Sequence, residues 1–227
     1  MTAAIEARDV VLSFGPTPAL RGADVTVAGG EILAVMGPSG SGKSTLLHCL
    51  AGILAPDGGE VRLDGQRIDT LGEAQRSQLR RTAFGFVFQF GQLLPELSAV
   101  ENAALPLLLN GESRGAAFDA ARRCLAQLGL EGLEGRRPGE MSGGQAQRVA
   151  MARALVVGPR VIFADEPTGS LDSLAGEHVM NQLTDAARSQ GVTIVLVTHE
   201  PRVAAHADRE IVVRDGRISG STQAGGA

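Results

Sequence analysis

Apolar residues along the chain fall into two patterns, short β-branched runs and longer stretches with helical spacing. The runs predict strands at Ile5–Ser13, Ala23–Val27, Glu31–Met36, Glu60–Leu63, Phe84–Phe88, Val161–Ala164, Val192–Val197 and Glu210–Arg214. We expect the first two to pair and the last to lie at a sheet edge. Helical spacing predicts helices at Ser44–Gly52, Glu73–Arg81 and Leu174–Ser189. This alternation indicates an α/β fold with a parallel sheet and crossover helices.

The middle of the chain carries helical signals almost throughout. Ser98–Glu101 has the spacing of a capping box and opens an apolar helix through Leu109. A second helix is predicted over Arg114–Leu128. Ser142–Gln145 repeats the capping pattern before a helix that reaches Val157. These helices predict an insert within the α/β core.

A length of 227 residues suits one domain or two closely joined ones. We expect a single domain over residues 1–227, with the α/β core at about 1–91 and 158–218. The helical insert takes about residues 92–157. Residues 219–227 are rich in Gly, Ser and Ala, which predicts a flexible tail.

Composition narrows the class of protein. Apolar residues make up 44% and charged residues 20%, which excludes disorder for the whole chain. A formal net charge of −4 argues against a nucleic-acid partner, because nucleic-acid binders carry a basic excess. Neither a membrane span of roughly 18 apolar residues nor a secretion signal is recognisable, so we expect a cytosolic protein. Cys49 and Cys124 lack metal-type spacing and suit a reducing compartment.

The basic residues are almost all arginine: of 21 Lys and Arg, Lys43 is the single lysine. It lies in Gly37-Pro-Ser-Gly-Ser-Gly-Lys-Ser44, which matches the phosphate-binding loop G-x-x-x-x-G-K-[ST] between a predicted strand and helix. Glycines let backbone N–H groups close around phosphate oxygens. Lys43 can reach the β- and γ-phosphates, and Ser44 offers a hydroxyl to Mg²⁺. The forked guanidinium of arginine fits such a loop poorly, which explains the retained lysine.

Two carboxylates follow the apolar strand Val161–Ala164. Asp165 and Glu166 come at the carboxyl end of this strand, where α/β sheets bind ligands. Asp165 would hold Mg²⁺, mostly through water, and Glu166 would polarise the water that attacks the γ-phosphate as general base. Solvated acids after a strand are common, so this interpretation depends on the phosphate loop upstream.

The third motif is Met141-Ser-Gly-Gly-Gln145 at a predicted helix start. A serine hydroxyl, two glycines and a helix N-terminus form a second anion site, which suggests that two copies enclose the nucleotide. With the other two motifs in this order, it resembles the Leu-Ser-Gly-Gly-Gln signature of the ATP-binding cassette (ABC) ATPases, over about residues 3–218. The resemblance implies a P-loop NTPase (RecA-like) core with an N-terminal antiparallel β subdomain and a helical signature subdomain. It also implies an ATPase that uses ATP and Mg²⁺.

The resemblance implies roles for further residues. Gln89 matches the glutamine that senses Mg²⁺ and faces the membrane partner, and strand alternation should place it opposite a packed phenylalanine face. Asp172 ends a stretch, from Gly169, that resembles the loop crossing the dimer interface. His199 matches the histidine that contacts the γ-phosphate, although a lone histidine at a strand end is often a surface or packing residue. The packed phenylalanines would be Phe84, Phe86, Phe88 and Phe90.

Lys43, Glu166 and His199 form the implied catalytic set, and Ser44, Gln89 and Asp165 the implied metal set. The implied nucleotide-binding set is Phe14, Gly37, Pro38, Ser39, Gly40, Ser41, Gly42, Lys43, Ser44, Thr45, Gln89, Ser142, Gly143, Gly144, Gln145 and Asp172. The chain departs from the family pattern at Met141, in place of leucine, and at Ala146, in place of a polar residue. Phe14 stands where a tyrosine usually stacks on adenine, and it could equally be a core residue.

Two stretches resemble the macrolide-export and lipoprotein-release branch of the family: Phe84–Phe90, continued through Leu93–Leu97, and Asp165–Asp172. The branch implies an ATP-dependent homodimer and a permease with four transmembrane helices and a large extracytoplasmic domain. The ATPase would then sit on the cytoplasmic face of the membrane through that permease. Leu93–Leu109 would dock the permease, form the core of the insert, or both. The alternatives are a soluble ABC ATPase, an importer ATPase and, disfavoured, a small-molecule kinase.

Overall fold

Two sheets organise the chain, of which the computed structural model describes residues 3–223. The first is antiparallel and has the order β2-β1-β4-β5: β1 (Ala3–Phe14), β2 (Thr17–Ala28), β4 (Gly58–Leu63) and β5 (Gln66–Arg67). The second has the order β10-β9-β3-β8-β7-β6: β3 (Ile32–Met36), β6 (Phe84–Phe88), β7 (Val161–Asp165), β8 (Thr193–Val197), β9 (Arg209–Arg214) and β10 (Arg217–Gln223). All its pairings are parallel except β9 with β10.

The central strands of the second sheet are buried on both faces, as parallel strands under helices are. On β8, Ile194 and Leu196 face the core formed with the helices, while Val195 and Val197 face the core shared with the antiparallel sheet. The same alternation holds on β3 and β7, because successive side chains of a strand point to opposite faces. The carboxyl ends of these strands are thereby held in fixed register.

Helices connect and cover the strands. They are α1 (Lys43–Leu50), α2 (Glu73–Thr82), α3 (Ala99–Leu109), α4 (Arg114–Gln127), α5 (Gly143–Leu155), α6 (Ser173–Gln190) and the short α7 (Pro201–Ala204). α3 to α5 lie in the segment predicted as a helical insert, and Ser98 and Ser142 cap α3 and α5 through capping boxes. None of the helices within residues 3–223 is long and apolar enough to cross a membrane.

The C-terminal region differs from the prediction in two ways. β9 is an interior strand, because β10 pairs with it antiparallel and takes the edge. β10 also continues through Gln223, so the predicted flexible tail from Ser219 is wrong for 219–223. This segment has few apolar residues from which a strand could be predicted, and it forms a strand through its pairing with β9. The last four residues of that predicted tail lie outside the described part of the chain.

Candidate nucleotide and catalytic site

The phosphate loop joins β3 to α1 in a backbone shape that requires glycine. Gly37, Gly40 and Gly42 have φ of +142°, +75° and +106°, a region that L side chains rarely adopt. A methyl group on Gly37 would lie 2.2 Å from the carbonyl oxygen of Val213, and one on Gly42 would lie 2.6 Å from that of Ala19. The loop is thus packed between β9 and the start of β2, with no room for a side chain at Gly37 or Gly42.

Lys43 folds back over this loop. Its Nζ donates hydrogen bonds to the carbonyl oxygens of Gly37 and Pro38, at 2.9 and 3.0 Å, and its side chain is buried. An ammonium group held over a loop of glycines is placed to meet phosphate oxygens. Beside it the hydroxyl of Ser41 is buried without a hydrogen-bond partner among the described residues, so a donor remains in the loop for a ligand.

Ser44 and Asp165 meet where α1 and β7 converge. Both residues line one cavity, and the Ser44 hydroxyl is placed to donate to the Asp165 carboxylate. Burial raises the pKa of Asp165 above its ordinary value, and the hydrogen bond from Ser44 opposes that rise. A hydroxyl and a carboxylate are the oxygen ligands that Mg²⁺ prefers, so these two residues fit a magnesium ion.

Glu166 takes an unusual backbone conformation, with φ of +47° directly after β7. One of its carboxylate oxygens lies 2.7 Å from Nδ1 of His199, and the other accepts a hydrogen bond of 3.3 Å from the hydroxyl of Thr198. The hydrogen bond to Glu166 raises the pKa of His199 above its ordinary value. Because β7 and β8 pair with Asp165 opposite Val197, the residues that follow both strands are brought together.

Gln89 follows β6 and lines a cavity of about 280 Å³ together with Ser44, Asp165 and Glu166. All four are site residues predicted from the sequence, and the structure brings them together. The prediction from strand alternation, that four phenylalanines pack opposite Gln89, was wrong for Phe88 and Phe90, which line this same cavity. Phe90 is 74% exposed, because β6 ends at Phe88 and the chain then turns at Gly91 with φ of +65°. The rings of Phe84 and Phe86 do pack against Phe163.

The start of α5 lies in a different place. Ser142, Gly143 and Gly144 line a second cavity, of about 270 Å³, together with Asp172. In the capping box, Oε1 of Gln145 accepts a hydrogen bond of 2.9 Å from the backbone N–H of Ser142. This cavity shares no lining residue with the one beside Gln89, so the two predicted anion sites are distinct cavities within one chain.

Phe14 ends β1 and is 56% exposed, which rules out the alternative that it is a core residue. It pairs with Thr17 across the tip of the β1–β2 hairpin. The same hairpin carries Ala19, whose carbonyl oxygen packs against Gly42. Phe14 therefore presents an exposed ring on an element that borders the phosphate loop. Met141 packs against the helical core, as the leucine of the family pattern would.

Sequence reasoning assigned no role to three residues that hold this region together. Thr198 bonds Glu166 through its hydroxyl, which also accepts a hydrogen bond from the backbone N–H of Glu200. Gln147 and Arg153, both on α5, donate to backbone carbonyls on either side of Gln89. The position of Thr198, between a strand end and His199, could have suggested a role in the site. The contacts of Gln147 and Arg153 could not have been predicted, because they join distant parts of the sequence.

A loop of glycines with positive φ, a lysine folded over it and an acidic strand end beside the loop serine define a P-loop nucleoside triphosphatase. Within that class the chain belongs to the ABC transporter family, because the family model described as ABC transporter matches residues 20–169. It is an ATP-binding and ATP-hydrolysing subunit of an ABC transporter, as the sequence predicted.

Known relatives support this assignment. The chain is 42% identical over 222 residues to the lipoprotein-releasing system ATP-binding protein LolD of Geobacter metallireducens, covering 96% of this chain and 99% of LolD. It is 45% identical to the macrolide export ATP-binding/permease protein MacB of Marinobacter nauticus, covering 97% of this chain but 35% of MacB. These two relatives confirm the predicted branch of the family.

The fold class is confirmed by solved structures. The dimeric bacterial ABC transporter cassette MJ0796 superposes with a TM-score of 0.89 at 37% identity, covering 98% of this chain and all of that one. A dimeric post-hydrolysis state of the same cassette, bound to ADP and Pi, gives a TM-score of 0.88 at 36% identity with the same coverage.

Proposed function

We propose that two copies of this chain close around two Mg-ATP molecules, and that closure drives a membrane permease of the export or extraction type. The observation that carries the proposal is that the Ser142 cavity and the cavity beside Gln89 and Glu166 are distinct, with no lining residue in common. Hydrolysis needs charge stabilisation on the open side of the γ-phosphate. A second copy related by a twofold axis would supply the N-terminus of its α5 there, giving two equivalent shared sites.

Within each shared site, the phosphate loop binds the triphosphate and Lys43 contacts its β- and γ-phosphates. Ser44, Asp165 and the amide oxygen of Gln89 are suited to hold Mg²⁺, which when bound offsets the charge of the phosphate oxygens. Phe14 stacks on the adenine ring. Ser142 and Gly144 of the other copy offer a hydroxyl and a helix N-terminus to the γ-phosphate.

Glu166 acts as the general base in this proposal. Its carboxylate takes a proton from the attacking water, and it is held in place by Thr198 and His199 from the end of β8. The contact with Glu166 uses Nδ1 of His199, which leaves Nε2 for the γ-phosphate. His199 thereby positions the base on one side and contacts the substrate on the other.

The permease is proposed to bind a docking surface formed by Phe90, Leu94 and Leu109, the exposed large apolar residues between β6 and the end of α3. α3 itself packs into the helical core, and its exposed residue is Leu109 at its end, so the docking surface lies along the loop before α3 and at the end of that helix. LolD and MacB are named as parts of lipoprotein-releasing and macrolide-export systems, which supports a partner of that kind. The chain would then lie at the cytoplasmic face of the membrane.

Mixing two inactive variants tests the shared sites. Lys43→Ala and Ser142→Phe should each abolish hydrolysis, and their mixture should recover some activity, because one site of each mixed dimer remains intact. Ser113→Phe is the matched control: Ser113 caps α4 as Ser142 caps α5, through a bond from the backbone N–H of Ala116, and its loss should leave hydrolysis near that of the parent. Absence of recovery at any ratio, despite demonstrated mixed dimers, would contradict two independently competent shared sites, and hydrolysis in a strictly monomeric sample would overturn the shared-site proposal altogether.

A permease encoded beside this gene would provide the second test. The parent chain should co-purify with that permease from detergent-solubilised membranes. A double variant, Leu94→Glu with Leu109→Glu, places two charges on the docking surface and should not co-purify, because burying unpaired charge is costly. Equal recovery of the parent and the double variant would contradict the proposed surface.

A further inference from the structure

A single buried amide joins the ends of two strands that carry site residues. Gln147 is 2% exposed, and its Nε2 donates two hydrogen bonds, to the carbonyl oxygens of Phe88 at 2.9 Å and Pro167 at 2.7 Å. Phe88 directly precedes Gln89, and Pro167 directly follows Glu166. Since both partners are carbonyls, the amide must present both of its hydrogens, which no carboxylate or hydroxyl can do.

The segment that carries Gln89 also lies along α5. A methyl group on Gly91 would lie 3.2 Å from Oε1 of Gln147, and Arg153 donates to the carbonyl oxygens of Gly91 and Gln92 at 2.7 and 2.8 Å. Arg153 is half-buried, and burial lowers the pKa of its guanidinium. Residues 88–92 are therefore attached to the same helix at several backbone points.

Gln147 lies five residues after Ser142, on the helix whose N-terminus faces the partner's nucleotide in the proposed dimer. We propose that Gln147 is a positioning residue that couples the Ser142 end of α5 to the chain's own Gln89 and Glu166. A shift of α5 on closure of the dimer would move both carbonyls, and with them both site residues. This inference rests on the proposed function, which places the N-terminus of α5 at the partner's nucleotide.

Two methionine variants test the coupling. Gln147→Met keeps the length of the side chain but donates no hydrogen bond. Gln182→Met is the matched control, because Gln182 is a half-buried amide on α6 whose Nε2 donates instead to the carbonyl oxygen of Leu128 at 3.3 Å. Steady-state hydrolysis over a range of ATP concentrations gives kcat, KM and the Hill coefficient, and thermal unfolding gives the melting temperature.

For Gln147→Met we expect kcat to fall by about tenfold or more, KM to change by less than about threefold and the Hill coefficient to fall towards one. Gln182→Met should leave all three close to those of the parent. A Gln147→Met protein that melts earlier but keeps the parent's kcat and Hill coefficient would overturn the inference, because the amide would then serve packing alone.

If Gln147→Met does not fold, Gln147→Asn carries the same test. The asparagine keeps an amide in the pocket but is one methylene shorter, so it cannot reach both carbonyls, and kcat should again fall while an unchanged kcat would overturn the inference. A parent chain that stays monomeric with Mg-ATP would contradict the proposed function instead. In that event kcat of the Gln147 variants still decides whether this amide positions Gln89 and Glu166.

Discussion

Gly169 lies against the side chain of Gln89, so closely that a methyl group on the glycine would stand 2.8 Å from the amide nitrogen. The next residue, Ser170, donates a hydrogen bond of 2.7 Å to the carbonyl oxygen of Gln89. The loop after Glu166 therefore fixes both the backbone and the side chain of Gln89. The loops that follow β6 and β7 are thus in direct contact beside the cavity.

Gly169→Ala should impair hydrolysis with little effect on stability. The added methyl group meets only the far end of a flexible side chain, so Gln89 can swing away, but it then leaves its place beside Ser44 and Asp165. We expect kcat to fall by about tenfold. Gly115→Ala is the control, because the methyl group there meets open space. Equal kcat in the two variants, with melting temperatures like the parent's, would show that the position of Gln89 is unimportant.

Glu166→Gln should separate binding from turnover. The amide keeps the shape of the carboxylate but cannot take a proton, so hydrolysis should fall by at least roughly a hundredfold. Mg-ATP binding should persist, and the protein should accumulate as a dimer in size-exclusion chromatography with Mg-ATP. Hydrolysis near that of the parent would remove Glu166 from the role of general base.

Lys43→Ala should weaken ATP binding and abolish turnover, and Lys43→Arg should rescue little of either. The Lys43 ammonium is buried against the carbonyl oxygens of Gly37 and Pro38, where a larger guanidinium has no matching space. Equilibrium titration with a fluorescent ATP analogue and turnover assays measure both effects. Arg122→Lys, an exchange in the opposite direction at an exposed position on α4, should change neither quantity. A Lys43→Arg protein with the parent's turnover would refute this steric argument.

Phe14→Ala should raise KM for ATP several-fold while kcat stays within about twofold, because stacking on adenine contributes equally to ground state and transition state. Phe14→Tyr should keep KM close to that of the parent, because the tyrosine ring can stack in the same way. The exposure of the Phe14 ring predicts no large loss of stability in either variant. An unchanged KM in Phe14→Ala would place the adenine elsewhere.

The sequence predicted the strands of the sheets well where apolar periodicity is strong, and it pointed to candidate site residues mainly where they lie in contiguous motifs. The contact between Glu166 and His199 follows neither from apolar periodicity nor from a contiguous motif, since it depends on β7 and β8 being adjacent and in register. β10 carries no apolar signal and forms through its pairing with β9. The bonds of Gln147 to Phe88 and Pro167 span 59 and 20 residues, a separation that local patterns do not encode.

The contact between Glu166 and His199 makes a prediction about pH. The hydrogen bond to Glu166 raises the pKa of His199 above its ordinary value of 6.5, so the folded protein holds this proton more tightly than the unfolded chain. The stability that comes from this contact is therefore fully present below about pH 6.5 and is lost as the pH rises through the raised value. Because the His199 ring is 67% exposed, water screens the contact and the effect on stability is small.

Glu166→Gln should return the pKa of His199 towards its ordinary value, since the amide carries no charge to favour the imidazolium. Titration of the imidazole signals by NMR measures this shift, with His199→Gln used to assign the resonance. His206 serves as an internal reference, because burial lowers its pKa and Glu166 takes no part in that shift. The melting temperature of Glu166→Gln should also lie further below that of the parent at pH 6 than at pH 9. A His199 pKa that is the same in both proteins would show that the carboxylate does not hold this imidazole in solution.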